Sequence, residues 1–483
     1  MRCRIQPRIQ PRTRLPLLTL AVAWPATRAL MLWLLAHNHL PALGGGGVAR
    51  EVYRLYAGWH DILSGGAYPQ GDPLWQYPPG AGPLLLAPGL LPGLTYFQAF
   101  VVLTLAADAV VTAALAHAGT RPEGRSPTGA ALWTAALPVL LCLPLVRYDV
   151  LVTAFAVIAL LTFSRSKRAC GAFAAMGAVV KVWPALTLIG TPRGRTTKEA
   201  WTAGVVTAAV LLGALAVLFR APFDFLRQQG ARGVQIESLG GTALAFARRA
   251  GWDGTVRYRY GAMEFTGPYV PEVAALSLAL TVAALGALLL WRTRAHRWSP
   301  ATPYDAALSA VLLFTVTSRV ISPQYMVWLL GLAAVCLTSR HTTQRPVAVL
   351  LVAATAVSAV AYPVLYREVV DSTWTGCLLM LVRNGLLTAA AALSFVRLWR
   401  ATTERPRIRQ LRTEPGPHSC HLPHGRLSAS KRETNINTYY SDSWEPCILT
   451  TRRSASSSSD TTTLPMWRTR SARRSRRAPP SER

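Results

Sequence analysis

Residues 169–190, ACGAFAAMGAVVKVWPALTLIG, form an apolar run that is long enough to cross a membrane but contains Lys181 and Pro184 near its middle. Proline breaks a helix interior, and a charge at membrane depth is costly unless it faces a cavity or a partner. Basic residues flank the run, from Arg165 on one side and up to Lys198 on the other. Short basic loops favour the cytoplasm, so the pattern predicts a broken or re-entrant element with both ends on that side.

The composition of the whole chain agrees with a membrane protein. Of its 483 residues 51% are hydrophobic and 15% charged, the mean hydropathy is +0.27, and the net charge is +29. A disordered chain has less apolar content, and a soluble nucleic-acid binder has more charge. Since one crossing needs about 20 apolar residues, the apolar runs predict an all-α polytopic membrane protein with about 10–12 transmembrane helices. Residues 78–96, which contain five prolines, are predicted to be a second broken element.

The positive-inside rule organises the chain into three parts. Residues 1–14 are predicted to be a basic cytoplasmic N-terminus, and residues 15–400 a membrane-embedded domain. Two long loops of that domain, 37–77 and 221–269, are predicted to lie outside the cytoplasm. Residues 401–483 are rich in Ser, Thr, Arg and Pro and are predicted to be a disordered, basic cytoplasmic tail. A cell membrane with both termini in the cytoplasm is the expected location.

Several chemical classes are excluded by missing motifs. The seven cysteines show no CxxC spacing, so neither a disulfide framework nor a zinc site is indicated. The chain also lacks GxxxxGK[ST], HExxH and GxSxG, which disfavours an ATP-driven pump or a zinc protease.

The first loop combines an amphipathic pattern with carboxylates. Apolar side chains at helical spacing predict a helix over 50–64 that lies on the membrane surface; they are Val52, Tyr56, Trp59 and Leu63. Glu51, Asp61 and Asp72 then lie near the interface, where a carboxylate can act as general base on a sugar hydroxyl. The alternative is a solvated helix without chemistry.

Positive charge outside the cytoplasm needs a reason. The second loop holds seven arginines between Arg220 and Arg259, and arginine suits a phosphate ligand. Chance placement is the alternative, because the positive-inside rule is weak for long loops. Arg147 and Asp149 form a further boundary pair that could simply satisfy each other. The broken helices and Lys181 together predict a cavity within the membrane domain.

Six segments in order resemble glycosyltransferase family 87, a family of the GT-C superfamily, over about residues 15–396. They are Glu51–Trp59, Trp75-Gln-Tyr-Pro-Pro-Gly80, Arg147-Tyr-Asp149, Gly177-Ala-Val-Val-Lys-Val-Trp-Pro184, Arg232-Gly-Val-Gln-Ile-Glu-Ser238 and Ser318-Arg-Val-Ile-Ser-Pro-Gln-Tyr-Met-Val-Trp328.

The resemblance implies a GT-C-like fold and an inverting hexosyltransferase, expected to be a mannosyltransferase, that uses a polyprenyl-phosphate sugar on the non-cytoplasmic face. The general base of the family corresponds to Glu51, where the family pattern usually has Asp; Asp61 and Asp72 are reserve candidates. Because the leaving group is a phosphate, positive charge is the main requirement, and Arg232, Lys181 and Arg319 are expected to contact it. The remaining residues expected to line the substrate site are Trp75, Tyr77, Arg147, Asp149, Gln235, Glu237, Gln324 and Tyr325.

The expected partners are membrane lipid, the polyprenyl-phosphate donor and a lipid or glycan acceptor, without nucleic acid. No metal site or cofactor is indicated, although a divalent ion bridging carboxylate and phosphate is left open. Two alternatives remain. A secondary transporter also has broken helices and an intramembrane charge, but no internal repeat is visible. A non-catalytic or degenerate member of the same fold is favoured by Glu51 in place of Asp.

Overall fold

The computed structural model of the protein describes residues 11–40, 45, 47–121, 124–230 and 232–404, of which 11–16 and 228–230 are described by their backbone alone. The predicted N-terminal segment up to residue 10, and the predicted tail from residue 405 onward, lie outside the described residues.

Helices make up most of the described chain. They are α1 Pro11–Ala36, α2 Ala57–Ser64, α3 Ala81–Leu86, α4 Tyr96–Gly119, α5 Thr128–Ala136, α6 Asp149–Thr162, α7 Lys167–Val180, α8 Arg195–Leu218, α9 Phe225–Gly230, α10 Leu239–Arg249, α11 Val270–Arg294, α12 Thr302–Thr317, α13 Tyr325–Leu337, α14 Arg345–Ala359, α15 Tyr366–Val370 and α16 Trp374–Thr403. The prediction of an all-α polytopic membrane protein is confirmed.

Six helices of the described chain are long and apolar enough to cross a membrane. They are Leu17–Ala36, Tyr96–Gly119, Arg195–Leu218, Val270–Arg294, Arg345–Val364 and Trp374–Thr403. Four shorter apolar helices accompany them, and one of these, α13, is buried from Met326 to Leu337 in the middle of the helical core. The predicted total of 10–12 crossings therefore exceeds the number of helices that reach spanning length.

The predicted break at Lys181 is present. Helix α7 ends at Val180, Lys181 is extended (φ −153°, ψ 126°), and the chain continues as a 3-10 helix over Trp183–Gly190. The Gly80 N–H donates to the Val179 carbonyl at 3.0 Å, so one broken segment supplies a backbone partner to the other, as burial of irregular backbone requires. A Cβ at Gly80 would lie 2.7 Å from the Val179 carbonyl atoms, which explains a glycine here.

The loop helix predicted over 50–64 is also present, as a π-helical stretch Glu51–Tyr56 that continues into α2. Its predicted apolar face is the buried one, since Val52, Tyr56, Trp59 and Leu63 are at most 3% exposed. Glu51 lies beside this buried face, and its carboxylate accepts a hydrogen bond from the Tyr56 hydroxyl at 2.9 Å.

A small antiparallel sheet lies in the second loop and was not predicted. Its strands are β1 Val234–Gln235, β2 Thr255–Arg259 and β3 Ala262–Thr266, in the order β1-β3-β2. The alternation in β2 and the Tyr260-Gly261 turn are hairpin features. The sheet folds the loop back onto the helices, because the Gln235 N–H donates to the Arg319 carbonyl at 3.0 Å.

Candidate functional site

A cavity of about 810 Å³ opens where the two long loops meet the turn before α13 and the segment between α14 and α15. It is lined by Gly45, Gly47, Val48, Arg50, Glu51, Arg54, Leu55, Leu74, Arg147, Gln235, Glu237, Tyr258, Gly261, Ala262, Met263, Ser322, Pro323, Gln324, Tyr362, Pro363, Val364, Tyr366 and Arg367. Carboxylates, arginines, amides and tyrosines therefore share one space.

Glu51 is the carboxylate on the first-loop wall of the cavity, with 21% of its side chain exposed. Its Oε2 lies 2.8 Å from Arg147 Nη2. Its Oε1 accepts hydrogen bonds from the hydroxyls of Tyr56 at 2.9 Å and Tyr77 at 3.2 Å. A carboxylate has about four acceptor positions, so these three donors orient the group and leave capacity for a substrate hydroxyl.

The two tyrosines are fixed as donors. Burial, reinforced by the nearby Glu51 charge, raises the pKa of both Tyr56 and Tyr77 well above the ordinary value. Their hydroxyls keep their protons at neutral pH. Tyr77 was expected to line the substrate site, but it is not among the cavity-lining residues; it donates to Glu51 and packs edge-on against Tyr148 with ring centroids 5.2 Å apart.

Arg147 is positioned by the chain around it. It follows a 3-10 turn, Leu143–Val146, and precedes α6. Its Nη1 donates to the carbonyls of Val48 at 3.0 Å and Val146 at 2.7 Å. The guanidinium is 6% exposed, so its charge balances Glu51 in a largely dry environment, where such pairs are strong.

The reserve carboxylates lie away from this space. The Asp61 side chain is 84% exposed and its contact is His60, while Asp72 accepts from Trp59 Nε1 at 2.9 Å and from the Leu74 N–H at 2.8 Å. Trp75 is buried and packs edge-on against Trp59. None of the predicted residues Asp61, Asp72 and Trp75 lines the cavity.

Arg147 and Asp149 do not pair with each other, because each has a partner from elsewhere in the chain. Asp149 Oδ1 lies 2.7 Å from Lys181 Nζ and accepts from Trp328 Nε1 at 2.5 Å. Tyr325, expected to contact substrate, stacks on Trp328 with ring centroids 3.8 Å apart. Lys181, Asp149 and Tyr325 thus form a separate cluster outside the cavity lining. A phosphate role for Lys181 is disfavoured because its charge is already balanced.

The predicted phosphate ligand Arg232 is engaged in a similar way. Its Nε lies 3.3 Å from Glu264 Oε1, and Glu264 is 1% exposed. Burial and the neighbouring Arg232 charge lower the pKa of Arg319, which sits beside this pair. Neither arginine is among the residues that line the cavity.

Three arginines that the sequence analysis did not single out lie on the cavity wall. Arg50, Arg54 and Arg367 line the cavity and form no ion pair within the described part of the chain. Arg50 and Arg54 are four residues apart on one helix, which puts like charges side by side. The spacing was visible in the sequence, but the approach of Arg367, more than 300 positions later, was not.

Three other predicted residues, Gln235, Glu237 and Gln324, do line the cavity. Glu237 is 2% exposed and pairs with Arg383 of α16, whose side chain is fully buried. Arg383 was missed because it lies within a long apolar run. Among the described residues no group of three or more His, Cys, Asp or Glu side chains is placed to hold a metal ion.

Comparison with known proteins agrees with this picture. The model of glycosyltransferase family 87 matches residues 75–323, which is more than half of the chain; Glu51 precedes the matched region and Arg367 and Arg383 follow it. No curated protein matches the chain. The match over most of the membrane domain shows that this chain is a membrane glycosyltransferase and belongs to glycosyltransferase family 87.

Proposed function

We propose that the protein transfers a hexose, mannose in the first instance, from a polyprenyl-phosphate donor to a hydroxyl of a lipid or glycan acceptor, with inversion. The observation that carries this proposal is the oriented Glu51 carboxylate on the wall of a cavity that is also lined by arginines without an ion pair among the described residues. A general base and a phosphate site are the two elements such a transfer needs.

In the proposed step, Glu51 accepts the proton of the acceptor hydroxyl as that oxygen attacks the anomeric carbon. The new bond is acceptor oxygen to carbon, and the broken bond is carbon to phosphate oxygen, so the polyprenyl phosphate leaves with the electron pair. The proton on Glu51 then passes to water. Arg147, Tyr56 and Tyr77 hold the carboxylate in place during attack, which matters because small misplacements of a base are costly.

For the donor phosphate we propose Arg50, Arg54 and Arg367 in place of Arg232 and Lys181. The latter two are already neutralised by Glu264 and Asp149. A buried pair that is already formed must be broken before its cation can serve a ligand, whereas a cation without a carboxylate partner carries no such cost.

Kinetics with a labelled donor test both the activity and this assignment. Purified protein in liposomes, given polyprenyl-phosphate mannose and a membrane lipid extract as acceptor, should form labelled glycolipid. In the Arg54→Gln/Arg367→Gln variant we expect the KM for the donor to rise by about 10²–10⁴-fold, because two hydrogen bonds to charged groups are lost and each contributes about 1.5–3 kcal/mol. The control, Arg227→Gln, changes an exposed arginine of the second loop that does not line the cavity.

An unchanged KM in the double variant would reject the phosphate assignment. No glycolipid from any hexose donor, together with accumulation of labelled sugar inside the liposomes, would reject the transferase and favour a transporter.

We further propose that the cavity faces the non-cytoplasmic side of the cell membrane and that both termini are cytoplasmic, because the positive-inside rule assigns the short basic loops to the cytoplasm and the two long loops, which line the cavity, to the opposite side. Ser64→Cys and Ser164→Cys place thiols at exposed positions of the first loop and of the basic turn before α7. The four described cysteines are buried, and Cys3, Cys420 and Cys447 would be replaced by serine. An impermeant maleimide should label Ser64→Cys on intact cells and Ser164→Cys only after permeabilisation; the reverse pattern would invert the topology.

A further inference from the structure

A hydrogen-bonded polar cluster lies on the second-loop wall of the cavity, and the proposed reaction gives it no role. Gln235 Nε2 donates to Glu237 Oε2 at 3.1 Å and to Ser322 Oγ at 3.2 Å. All three residues line the cavity, as does Gln324. The cluster joins β1 to the turn before α13, so its geometry is set by two separate parts of the fold.

Two residues of helix α16 bind Glu237. Arg383 Nη2 lies 3.2 Å from Glu237 Oε1. The neighbouring Asn384 amide donates to the Glu237 carbonyl at 3.1 Å, to the Ser238 carbonyl at 3.3 Å and to Thr242 Oγ1 at 2.8 Å. Both the side chain and the main chain of Glu237 are therefore anchored to a membrane-spanning helix, which is the support that a precise binding group needs.

Glu237 has unused capacity to accept hydrogen bonds. Its carboxylate accepts one from Gln235 and one from Arg383, and a carboxylate offers about four positions. Burial raises the pKa of Glu237, and the Arg383 charge opposes that rise. A buried carboxylate on a cavity wall is costly without further partners, so the remaining positions favour a ligand that donates hydrogen bonds.

Aromatic rings complete this part of the cavity. Tyr258, Tyr362 and Tyr366 line it, and the last two pack edge-on with ring centroids 4.9 Å apart. Pockets that bind small molecules such as a sugar ring are usually lined by aromatic side chains together with a few fixed polar groups. A negatively charged ligand group is disfavoured beside Glu237, which leaves the arginine-lined part of the cavity for the phosphate.

We propose that Glu237, together with Gln235, accepts and orients the hydroxyl groups of the transferred hexose, and that Arg383 is a positioning residue that holds Glu237 for this purpose. The inference rests on the proposed function, because it assigns the sugar of the same donor to a defined wall of the cavity.

In this arrangement each part of the substrates has its own group of residues. The donor phosphate lies by Arg50, Arg54 and Arg367, the acceptor hydroxyl lies at Glu51, and the sugar ring lies against Glu237.

Binding measurements isolate the sugar without requiring turnover. The full-length protein is titrated with polyprenyl-phosphate mannose and with the methyl ester of the same polyprenyl phosphate, a phosphodiester of equal charge that carries a methyl group in place of the hexose. We expect the wild-type protein to bind the mannose-bearing lipid more tightly. In Glu237→Gln that preference should fall by about 10–100-fold, while the affinity for the methyl ester stays the same, because a hydrogen bond to a charged group contributes about 1.5–3 kcal/mol.

Two further variants separate sugar recognition from folding. Glu264→Gln is the matched control, since Glu264 is another buried carboxylate of the same loop, paired with Arg232 and absent from the cavity lining; its sugar preference should equal that of wild type. Glu237→Gln/Arg383→Gln removes both charges of the pair. If Glu237 only balances Arg383, this double variant will recover the sugar preference; if Glu237 binds the hexose, the preference will stay lost.

The outcomes distinguish this inference from the proposed function. Equal binding of the two lipids by wild type, or an unchanged preference in Glu237→Gln, overturns the inference even if transfer is active. If Glu237→Gln changes only the KM for the acceptor, the inference is also overturned, because Glu237 would then recognise a sugar of the acceptor and not the hexose of the donor. Preferential binding of the mannose-bearing lipid without any transfer leaves the inference standing and rejects the proposed function alone.

Discussion

Glu51→Gln is expected to lower the rate of sugar transfer by about 10²–10⁴-fold, the range that a positioned general base contributes. Glutamine matches the size of glutamate but cannot accept the proton of the acceptor hydroxyl. The donor should still bind, because the cavity arginines are unchanged. The measurement is kcat with labelled donor, together with donor affinity and thermal stability of the purified variant.

Three companion variants decide between Glu51 and the reserve carboxylates as the general base. Asp61→Asn and Asp72→Asn change residues that lie outside the cavity lining, and both are expected to retain transfer. Glu51→Asp restores a carboxylate, one methylene shorter, and should recover part of the rate. Wild-type turnover in Glu51→Gln, or loss of turnover in Asp72→Asn with the fold intact, would move the base away from Glu51.

The second large effect is expected on stability, at the buried ion pair between α1 and α4. Arg28 and Asp108 are 2% and 1% exposed, and Arg28 Nη2 lies 2.7 Å from Asp108 Oδ1. Trp24 and Trp133 donate to the same carboxylate, each at 2.7 Å. Asp108→Asn leaves the Arg28 charge unbalanced, and removal of one partner of a buried pair costs about 3–5 kcal/mol. We expect a clear drop in the melting temperature in detergent.

A double variant tests that explanation. Arg28→Met/Asp108→Asn removes both charges and should be more stable than Asp108→Asn alone, since the penalty comes from the unpaired cation. The control is Glu199→Gln, which breaks a pair whose arginine, Arg195, is 91% exposed; its effect should stay within about 1 kcal/mol. If Asp108→Asn has the same melting temperature as wild type, the ion pair between Arg28 and Asp108 adds no stability.

Much of the fold was predictable because it follows from local patterns. The apolar runs became helices, the chain breaks at Lys181, and the buried face of 50–64 is the one that helical spacing indicates. The sheet of the second loop was missed because its strands are short and lie among arginines. Strands β2 and β3 form a local hairpin, but β1 joins β3 from about 30 positions earlier in the chain and donates through Gln235 to the Arg319 carbonyl, which no local pattern reveals.

The candidate site was predictable only in part. The cavity does hold Glu51, Arg147, Gln235, Glu237 and Gln324, all of which were expected from the sequence. The assignment of positive charge was not: an arginine or lysine looks the same in sequence whether a carboxylate neutralises it or not.

The sequence by itself determined that this chain is a helical membrane protein with two broken segments and a carboxylate-bearing helix in its first loop, because hydrophobicity and helical period act over a few turns. Only the tertiary structure decided which charges pair. Arg147 lies 2.8 Å from Glu51, Lys181 2.7 Å from Asp149 and Arg383 3.2 Å from Glu237. The partners come from different segments, and in a dry interior each charge is stabilised by whichever opposite charge the packing of helices brings within reach. That packing leaves Arg50, Arg54 and Arg367 without a carboxylate in the described structure, and it makes their cavity the place to look for a phosphate.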